Sequence, residues 1–398
     1  TLQRVWADAI FQNFLGRRTA VVLHGSADKR RELLAQYHDF YIINYDGLAV
    51  GAPTDPRHPA RGLYADLEQR ADIRMVLIDE ASAYRDATTR RHRVARRLLG
   101  KRDYLWLMTG TPTPNGPTDA YGLAKLLNNA WGETFTSYKS RVMTRITQFK
   151  WVPRAGANAE ARKLLSPAIR YDIQDCWDLP PCTTQMRDVE FSPDQAKAYK
   201  EMQRDLRLRV GTQTITAVNE AVLRWKLIQI SCGAIYGADH EVHKVDAEPR
   251  IKALREVIAE CREKIIIFAP LTSVVNLLNR ELKEYTRTVV NGEVAHKARS
   301  EIFRAFQEDD APRILIADPG TMAHGLTLTA ASTIVWYAPT DKTEIYLQAN
   351  KRIDRPGQTK NTTIVQLAST QTERVIFRRL EHNQSMQGLI LLMVREGK

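Results

Sequence analysis

The sequence is short of cysteine, of long apolar runs and of repetition, and each shortage closes off a class of protein. Four cysteines, Cys176, Cys182, Cys232 and Cys261, stand in 398 residues, and no two form a C-x-x-C pair. That spacing offers neither a disulfide framework nor a zinc site, and it suits a reducing interior. No apolar stretch approaches the roughly 20 residues that span a bilayer. The longest, such as residues 264–269, have the length of a strand. There is no low-complexity tract and no short-period repeat. The first residue is Thr1 rather than methionine, and no signal-peptide pattern follows it. Helical spacing of Leu2, Val5, Trp6, Ala9 and Ile10 begins at once, which predicts a chain that starts inside a domain.

What is present is ordinary in amount and unusual in charge. A hydrophobic content of 43% and a charged content of 26% fit a soluble globular protein, and 398 residues allow two domains with real cores. The formal net charge of +12 and the pI near 9.5 favour a polyanionic partner, nucleic acid first.

Short apolar runs alternate with helical spacing. Strands are expected at residues 20–24, 40–44, 74–78 and 104–108, with helices near 1–15, 28–37 and 63–70 and a strongly basic stretch at 85–102. The pattern breaks near residues 167–182, where Leu179-Pro180-Pro181 marks a connector. Ser192-Pro193-Asp194-Gln195 then reads as a capping box with proline at the first helical position. A second series follows, with strands at 264–269, 286–290, 313–317, 333–337 and 363–367. Helices lie between them, at 272–284, 295–308 and 342–354. The expected fold class is α/β, each domain a mostly parallel sheet flanked by helices. The expected division is residues 1–175, a connector at 176–192, and residues 193–398.

Four stretches can carry chemistry. Asp79-Glu80 follows directly on the strand Met75-Val76-Leu77-Ile78, where a parallel sheet points side chains into a ligand crevice. There an aspartate can hold a nucleotide's Mg²⁺, and the glutamate can orient or deprotonate water. A solvated acidic turn is the plainer alternative. Thr109-Gly110-Thr111-Pro112 follows the next strand and reads either as a β-turn or as a sensor of a nucleotide site. In Asp318–Leu328 the glycines permit close approach of backbone to phosphate. Last, Gln348, Arg352 and Arg355 share one face if residues 342–354 are helical. Arginine forks of that kind suit phosphate oxygens, although a solvated basic helix end has the same composition.

In this order the stretches resemble the superfamily-two helicases, and most of all their Swi/Snf-like branch of ATP-dependent DNA translocases. Asp79-Glu80-Ala81-Ser82 matches the acidic motif, and Thr109-Gly110-Thr111-Pro112-Thr113-Pro114-Asn115 the one after it. Gly325-Leu326-Thr327-Leu328-Thr329-Ala330-Ala331 resembles the fifth motif. Gln348 to Gln358 matches the sixth, including its Arg-x-Gly-Gln ending. The resemblance covers nearly the whole chain and implies two RecA-like lobes with ATP and Mg²⁺ as cofactors. It implies that Asp79 ligates magnesium and Glu80 activates water. Arg352 and Arg355 become arginine fingers placed with the help of Gln348. Thr109, Gly110 and Thr111 couple hydrolysis to lobe movement. Gly25, Asn44, Tyr45, Ser273, Thr321 and Gly325 fall in segments that line the nucleic-acid track, and the implied partner is double-stranded DNA bound without regard to sequence.

The departures are specific. No G-x-x-x-x-G-K followed by Ser or Thr occurs in the chain. In the family that phosphate loop precedes the segment matched by Thr1–Trp6, so the chain by itself is expected to be inactive. Ser82 stands where many relatives have histidine, Thr327 where asparagine is common, and Asp318 where Ser or Thr is usual. A non-catalytic nucleic-acid-binding module and an RNA helicase of the same superfamily are the competing readings. The compact chain suits a bacterial or phage source, hence the cytoplasm of a bacterial or phage-infected cell, or the nucleus if the source is eukaryotic.

Overall fold

The computed structural model describes every residue except 1, 52–61, 101, 115, 129, 147–150, 172, 213–216, 237–241, 323–326 and 383–398. The chain divides into two compact units between Arg170 and Tyr171. Among the described residues no helix is long and apolar enough to cross a membrane.

The first unit opens with α1 (Leu2–Phe14), β1 (Ala20–Val22), α2 (Ala27–Ala35), β2 (Phe40–Ile42), α3 (Leu63–Gln69) and β3 (Met75–Ile78). It continues with α4 (Arg90–Leu99), β4 (Tyr104–Leu107), α5 (Ala120–Leu127), α6 (Phe135–Val142), the hairpin β5 (Met143–Arg145) and β6 (Trp151–Pro153), and α7 (Ala157–Leu164). The four expected strands form and pair in parallel, but as two separate ribbons, β1 with β2 and β3 with β4. Strands of three or four residues offer few ladder bonds, and the helices do much of the covering. On one face of the β3–β4 ribbon, Ile78, Leu105 and Leu107 pack against Ala81, Tyr84, Ala95, Leu99 and Leu123. The other face is open: Met75 opposes Tyr104 and Leu77 opposes Trp106, and Trp106 is 59% exposed.

The second unit holds α8 (Ile173–Cys176), β7 (Cys182–Asp188), α9 (Pro193–Thr212), α10 (Ala217–Cys232), β8 (Ala234–Tyr236), β9 (Val242–Lys244) and α11 (Glu248–Glu260). Then come β10 (Lys264–Phe268), α12 (Thr272–Glu281), β11 (Arg287–Val290), α13 (His296–Glu308), β12 (Ile314–Ala317), β13 (Ala331–Trp336), α14 (Thr343–Asn350) and β14 (Thr362–Ala368). Six strands form one wholly parallel sheet in the order β11-β12-β10-β13-β14-β7. β12 and β13 are buried along their whole length, as strands covered on both faces must be, and this is why they read as unbroken apolar runs. Cys182–Asp188, inside the expected connector, is the edge strand β7, paired along seven residues with β14. Its mostly exposed side chains, Cys-Thr-Thr-Gln-Met-Arg-Asp, hide it from a search for apolar runs.

The capping box forms as its residues predict. Gln195 N–H donates to Ser192 Oγ at 3.1 Å, and Ser192 N–H donates to Gln195 Oε1 at 3.3 Å. The same glutamine amide donates to the carbonyls of Ile230 and Ser231, fastening the start of α9 to the end of α10.

Candidate functional site

In the first unit the register of β3 against β4 assembles the site. Ile78 lies opposite Leu107, so the residues immediately after each strand are also neighbours. Met108 N–H donates to Ile78 O and Ala81 N–H donates to Met108 O, both at 2.8 Å. Asp79-Glu80 and Thr109 are thereby brought side by side. Glu80 adopts φ 46° and ψ 50°, a left-handed conformation that costs a non-glycine residue roughly 1–2 kcal/mol. It opens a single 3₁₀ turn, Ala81–Tyr84.

Side chains from earlier elements hold this strained turn. Tyr45 Oη donates to the carbonyl of Asp79, and its ring meets that of Tyr84 edge-on at 5.4 Å. Arg91 lies over the Tyr45 ring at 5.3 Å and pairs with Asp46 at 2.9 Å. Burial, and after it the charges of Asp79 and Glu80, push the Tyr45 phenol well above its usual range, so it stays a donor. The Asp79 carboxylate accepts from Glu80 N–H at 2.9 Å and from the Trp6 indole at 3.1 Å. No cluster of three or more acidic, histidine or cysteine ligands exists among the described residues. A single carboxylate suits Mg²⁺, which keeps several waters and takes its remaining oxygens from phosphates. Thr109 Oγ1 accepts from Thr111 N–H at 3.1 Å, closing the Thr-Gly-Thr turn on itself, and a Cβ placed on Gly110 would touch nothing within 4 Å.

Gly25 and Asn44 meet through a residue that the motifs do not single out. Arg30 is buried, donating to Leu23 O at 2.7 Å, Gly25 O at 2.9 Å and Asn44 Oδ1 at 3.4 Å. Gly25 sits at φ 94°, where its lack of a Cβ matters. Arg30 stands four residues before Leu34 and shares its buried face on α2, so an arginine in line with an apolar helical position is the signal that could have marked it. Tyr45, grouped with these two by the family resemblance, directs its hydroxyl to the acidic turn.

In the second unit the arginine segment departs from expectation. α14 ends at Asn350, not at residue 354, so Gln348 is helical while Arg352 and Arg355 lie in the turns beyond it. The stop is tertiary. Leu328 N–H donates to the carbonyl of Arg352 at 3.0 Å, and the Trp336 indole donates to Asn350 Oδ1 at 2.9 Å. Gln358, 6% exposed, then fixes the segment: its amide donates to Ala331 O at 3.0 Å, Ile353 O at 3.1 Å and Thr329 O at 3.3 Å. The Arg-x-Gly-Gln ending is therefore a clamp on the entry to β13. Arg352 is nearly covered, at 5% exposure, and Arg355 is half-buried.

Ser273 and Thr321 follow the carboxyl ends of β10 and β12, away from the entry of β13 where the arginine turn is tied. Ser273 is buried in the first turn of α12. Asp318 accounts for its own substitution: its side chain accepts from Gly320 N–H at 2.8 Å, and its carbonyl accepts from Thr321 N–H at 2.9 Å and from Thr321 Oγ1 at 2.7 Å. An aspartate thus shapes the turn after β12 through an Asx-type bond. Gly325 lies outside the described residues.

The two α/β units carry, in order, the acidic turn, the Thr-Gly-Thr turn and the arginine turn on which the resemblance to superfamily-two helicases rests. The SNF2-related domain matches residues 1–233 and the helicase conserved C-terminal domain matches residues 249–357. The chain belongs to the SNF2-related, Swi/Snf-like family of superfamily-two helicases. Similar curated proteins include the putative protein p41 of Acyrthosiphon pisum secondary endosymbiont phage 1, 24% identical over 98% of this chain and 85% of its own length. The putative ATP-dependent helicase/translocase YwqA of Bacillus subtilis is 23% identical over 82% of this chain, which spans only 37% of that protein. Of Protein CHROMATIN REMODELING 4 of Arabidopsis thaliana, 23% identical, the chain spans 12%. Among solved structures, the Sulfolobus solfataricus SWI2/SNF2 ATPase core in complex with dsDNA covers 98% of this chain and 81% of its own, at 20% identity and a TM-score of 0.42.

Proposed function

We propose that the chain forms the core of an ATP-driven motor that moves along double-stranded DNA without regard to sequence. The observation that carries this reading is the β3–β4 register, which sets Asp79-Glu80 against Met108-Thr109 in a chain of the SNF2-related family. In this reading ATP lies between the two units. Asp79 takes the metal and Glu80 orients the attacking water. Bound magnesium would neutralise charge developing on the phosphates. Arg355, half-buried, meets the nucleotide first, and Arg352 follows as its turn loosens, with Gln348 placing both. Thr109, Gly110 and Thr111 pass the state of the acidic turn to the rest of the unit. Gly25, Asn44, Tyr45, Ser273, Thr321 and Gly325 belong to the segments that follow the DNA backbone, and closing and reopening of the units steps them along it.

The test is steady-state ATP hydrolysis by the natural full-length gene product, alone, with duplex DNA and with RNA. Residues 1–398 contain no G-x-x-x-x-G-K followed by Ser or Thr, so the assay uses the gene product in its natural form. Duplex DNA is expected to stimulate the rate, and Arg352→Ala to lower it by about 10³–10⁵, the range found for arginine fingers. Hydrolysis indifferent to duplex DNA, or driven better by RNA, would rule the reading out.

A further inference from the structure

The strand-end turns use the arginine-rich stretch after the acidic turn only in part, through Arg91. α4 carries Arg90, Arg91, Arg93, Arg96 and Arg97 within ten residues. Two of them serve the unit itself, Arg91 with Asp46 at 2.9 Å and Arg97 with Glu68 at 3.2 Å. Arg93 is exposed and makes no ion pair among the described residues.

Beside this helix is a cavity of about 690 Å³, bounded by α4, α5 and the turn that leads into α6. Neither Asp79 nor Glu80 lines it. Its cationic lining is Arg85, Arg93, Arg96 and Lys125, and its aromatic lining includes Tyr121 and Phe135. The volume is that of a small-molecule site rather than of a crevice for a bare ion.

Lys125 is the informative member. It is only 8% exposed, and its ammonium donates to one oxygen, the carbonyl of Trp131. The rings of Trp131 and Tyr121 flank it, at 5.0 and 5.6 Å. An ammonium has three N–H donors, and buried charges are normally paired. Lys125 has no carboxylate partner among the described residues. The cavity also has acids on its wall, Asp86, Asp119 and Glu133. Asp86 is occupied by Thr88 N–H at 2.8 Å and Thr88 Oγ1 at 2.7 Å. Glu133 is taken by Arg141 at 2.8 Å. Burial, and after it the charge of Arg96, push the Lys125 ammonium below its usual range, and the charge of Glu133 opposes that shift only in part.

We propose that this cavity seats a phosphate ester of nucleotide size, with Lys125 and Arg93 as its cationic contacts. The ester is either a backbone phosphate of bound DNA or a free nucleotide, and the two sources separate by experiment. The proposal does not depend on where ATP is hydrolysed.

The chain would be titrated into a labelled duplex across a salt series, and separately with adenosine monophosphate, as wild type, Arg93→Ala and Lys125→Met. If the ester belongs to DNA, each substitution weakens duplex binding about 3–10-fold. The slope of log affinity against log salt becomes shallower by about 0.9 for each phosphate that is no longer neutralised. If the ester is a free nucleotide, both variants lose adenosine monophosphate while duplex binding is unchanged. Either result supports the seat. Should Arg93→Ala match the wild type in duplex affinity, salt slope and nucleotide binding, the proposal is overturned, even if Lys125→Met fails to fold. A wild type that binds no duplex would count against the motor reading, while the nucleotide arm still decides the cavity.

Discussion

In the second unit β12 and β13 are buried end to end, and one continuous core joins them to β10, α11, α12 and α14. In the first unit β4 alternates between half-buried and open residues, and most buried apolar side chains among the described residues fall into three smaller clusters. The two units therefore hold their motif-bearing turns by different means. The arginine turn is fixed to a finished sheet by the buried amide of Gln358. The acidic turn is fixed by single side chains, Trp6 and Tyr45, and by the close approach of one helix. Rigidity comes from the sheet in one case and from a few polar groups in the other.

The sharpest break in this comparison is expected at Arg250 and Glu373, whose side chains are both fully buried and pair at 2.8 Å. Arg250 also donates to Tyr337 O at 2.6 Å and Leu367 O at 2.7 Å, just beyond the end of β13 and within β14. Glu373 accepts from Ser369 N–H and Thr370 N–H at the start of the helix over 371–382. Glu373→Ala would strand the guanidinium in the core, at a cost of about 3–5 kcal/mol. Urea unfolding of the chain measures it, and replacing both partners, Arg250→Met with Glu373→Leu, should recover much of the loss. In the first unit the exposed pair Arg74–Asp103, at 2.6 Å, should give only about 0–1 kcal/mol on Asp103→Ala. Equal effects at the two pairs would refute the contrast.

Next in size is Gly122→Ala in α5. A Cβ there would stand 2.2 Å from Arg85 O and 2.5 Å from Tyr84 O, the backbone that closes the acidic turn. Alanine gains about 1 kcal/mol of helix propensity over glycine. Backbone cannot swing aside as a side chain can, so α5 must retreat, and overpacking of this kind costs about 1–3 kcal/mol. The net effect should be a lower melting temperature, with loosening reported by faster exchange of the Ala81 amide. A variant as stable as the wild type would mean that α5 does not buttress the turn.

The sequence discloses these arrangements unevenly. Asp79-Glu80 beside Thr109 is legible because parallel strands of equal length align the residues just beyond their ends, and Val76–Ile78 and Leu105–Leu107 are plain apolar runs. The box at Ser192 and Gln195 is legible because its two bonds are local. β7 is not: two prolines precede it, and an edge strand needs few apolar residues. The end of α14 is not legible either. Pro356-Gly357 marks a stop several residues too late, because the true stop depends on Leu328 and Gln358, which reach the segment through the tertiary fold. The Arg250–Glu373 pair spans 123 residues and leaves no trace in spacing.

The smallest effect expected is a response to acid that separates the two units. His92, on α4 and 2% exposed, donates Nε2–H to Gly122 O at 2.9 Å. Burial holds its pKa below the ordinary 6.5, and the Gly122 carbonyl opposes that shift only in part. Below pH about 6.5 the unfolded chain takes up a proton that the folded unit resists, so stability falls with pH in that range and is fully present above it. The second unit's buried pair involves arginine, which stays charged throughout. Protection factors of α4 and α5 should therefore drop between pH 7.5 and 5.5 by more than those of β12 and β13. His92→Gln, which keeps a donor near Gly122, should remove the difference. A parallel decline in both units, or one unaltered by His92→Gln, would show that the acid response does not originate at this histidine.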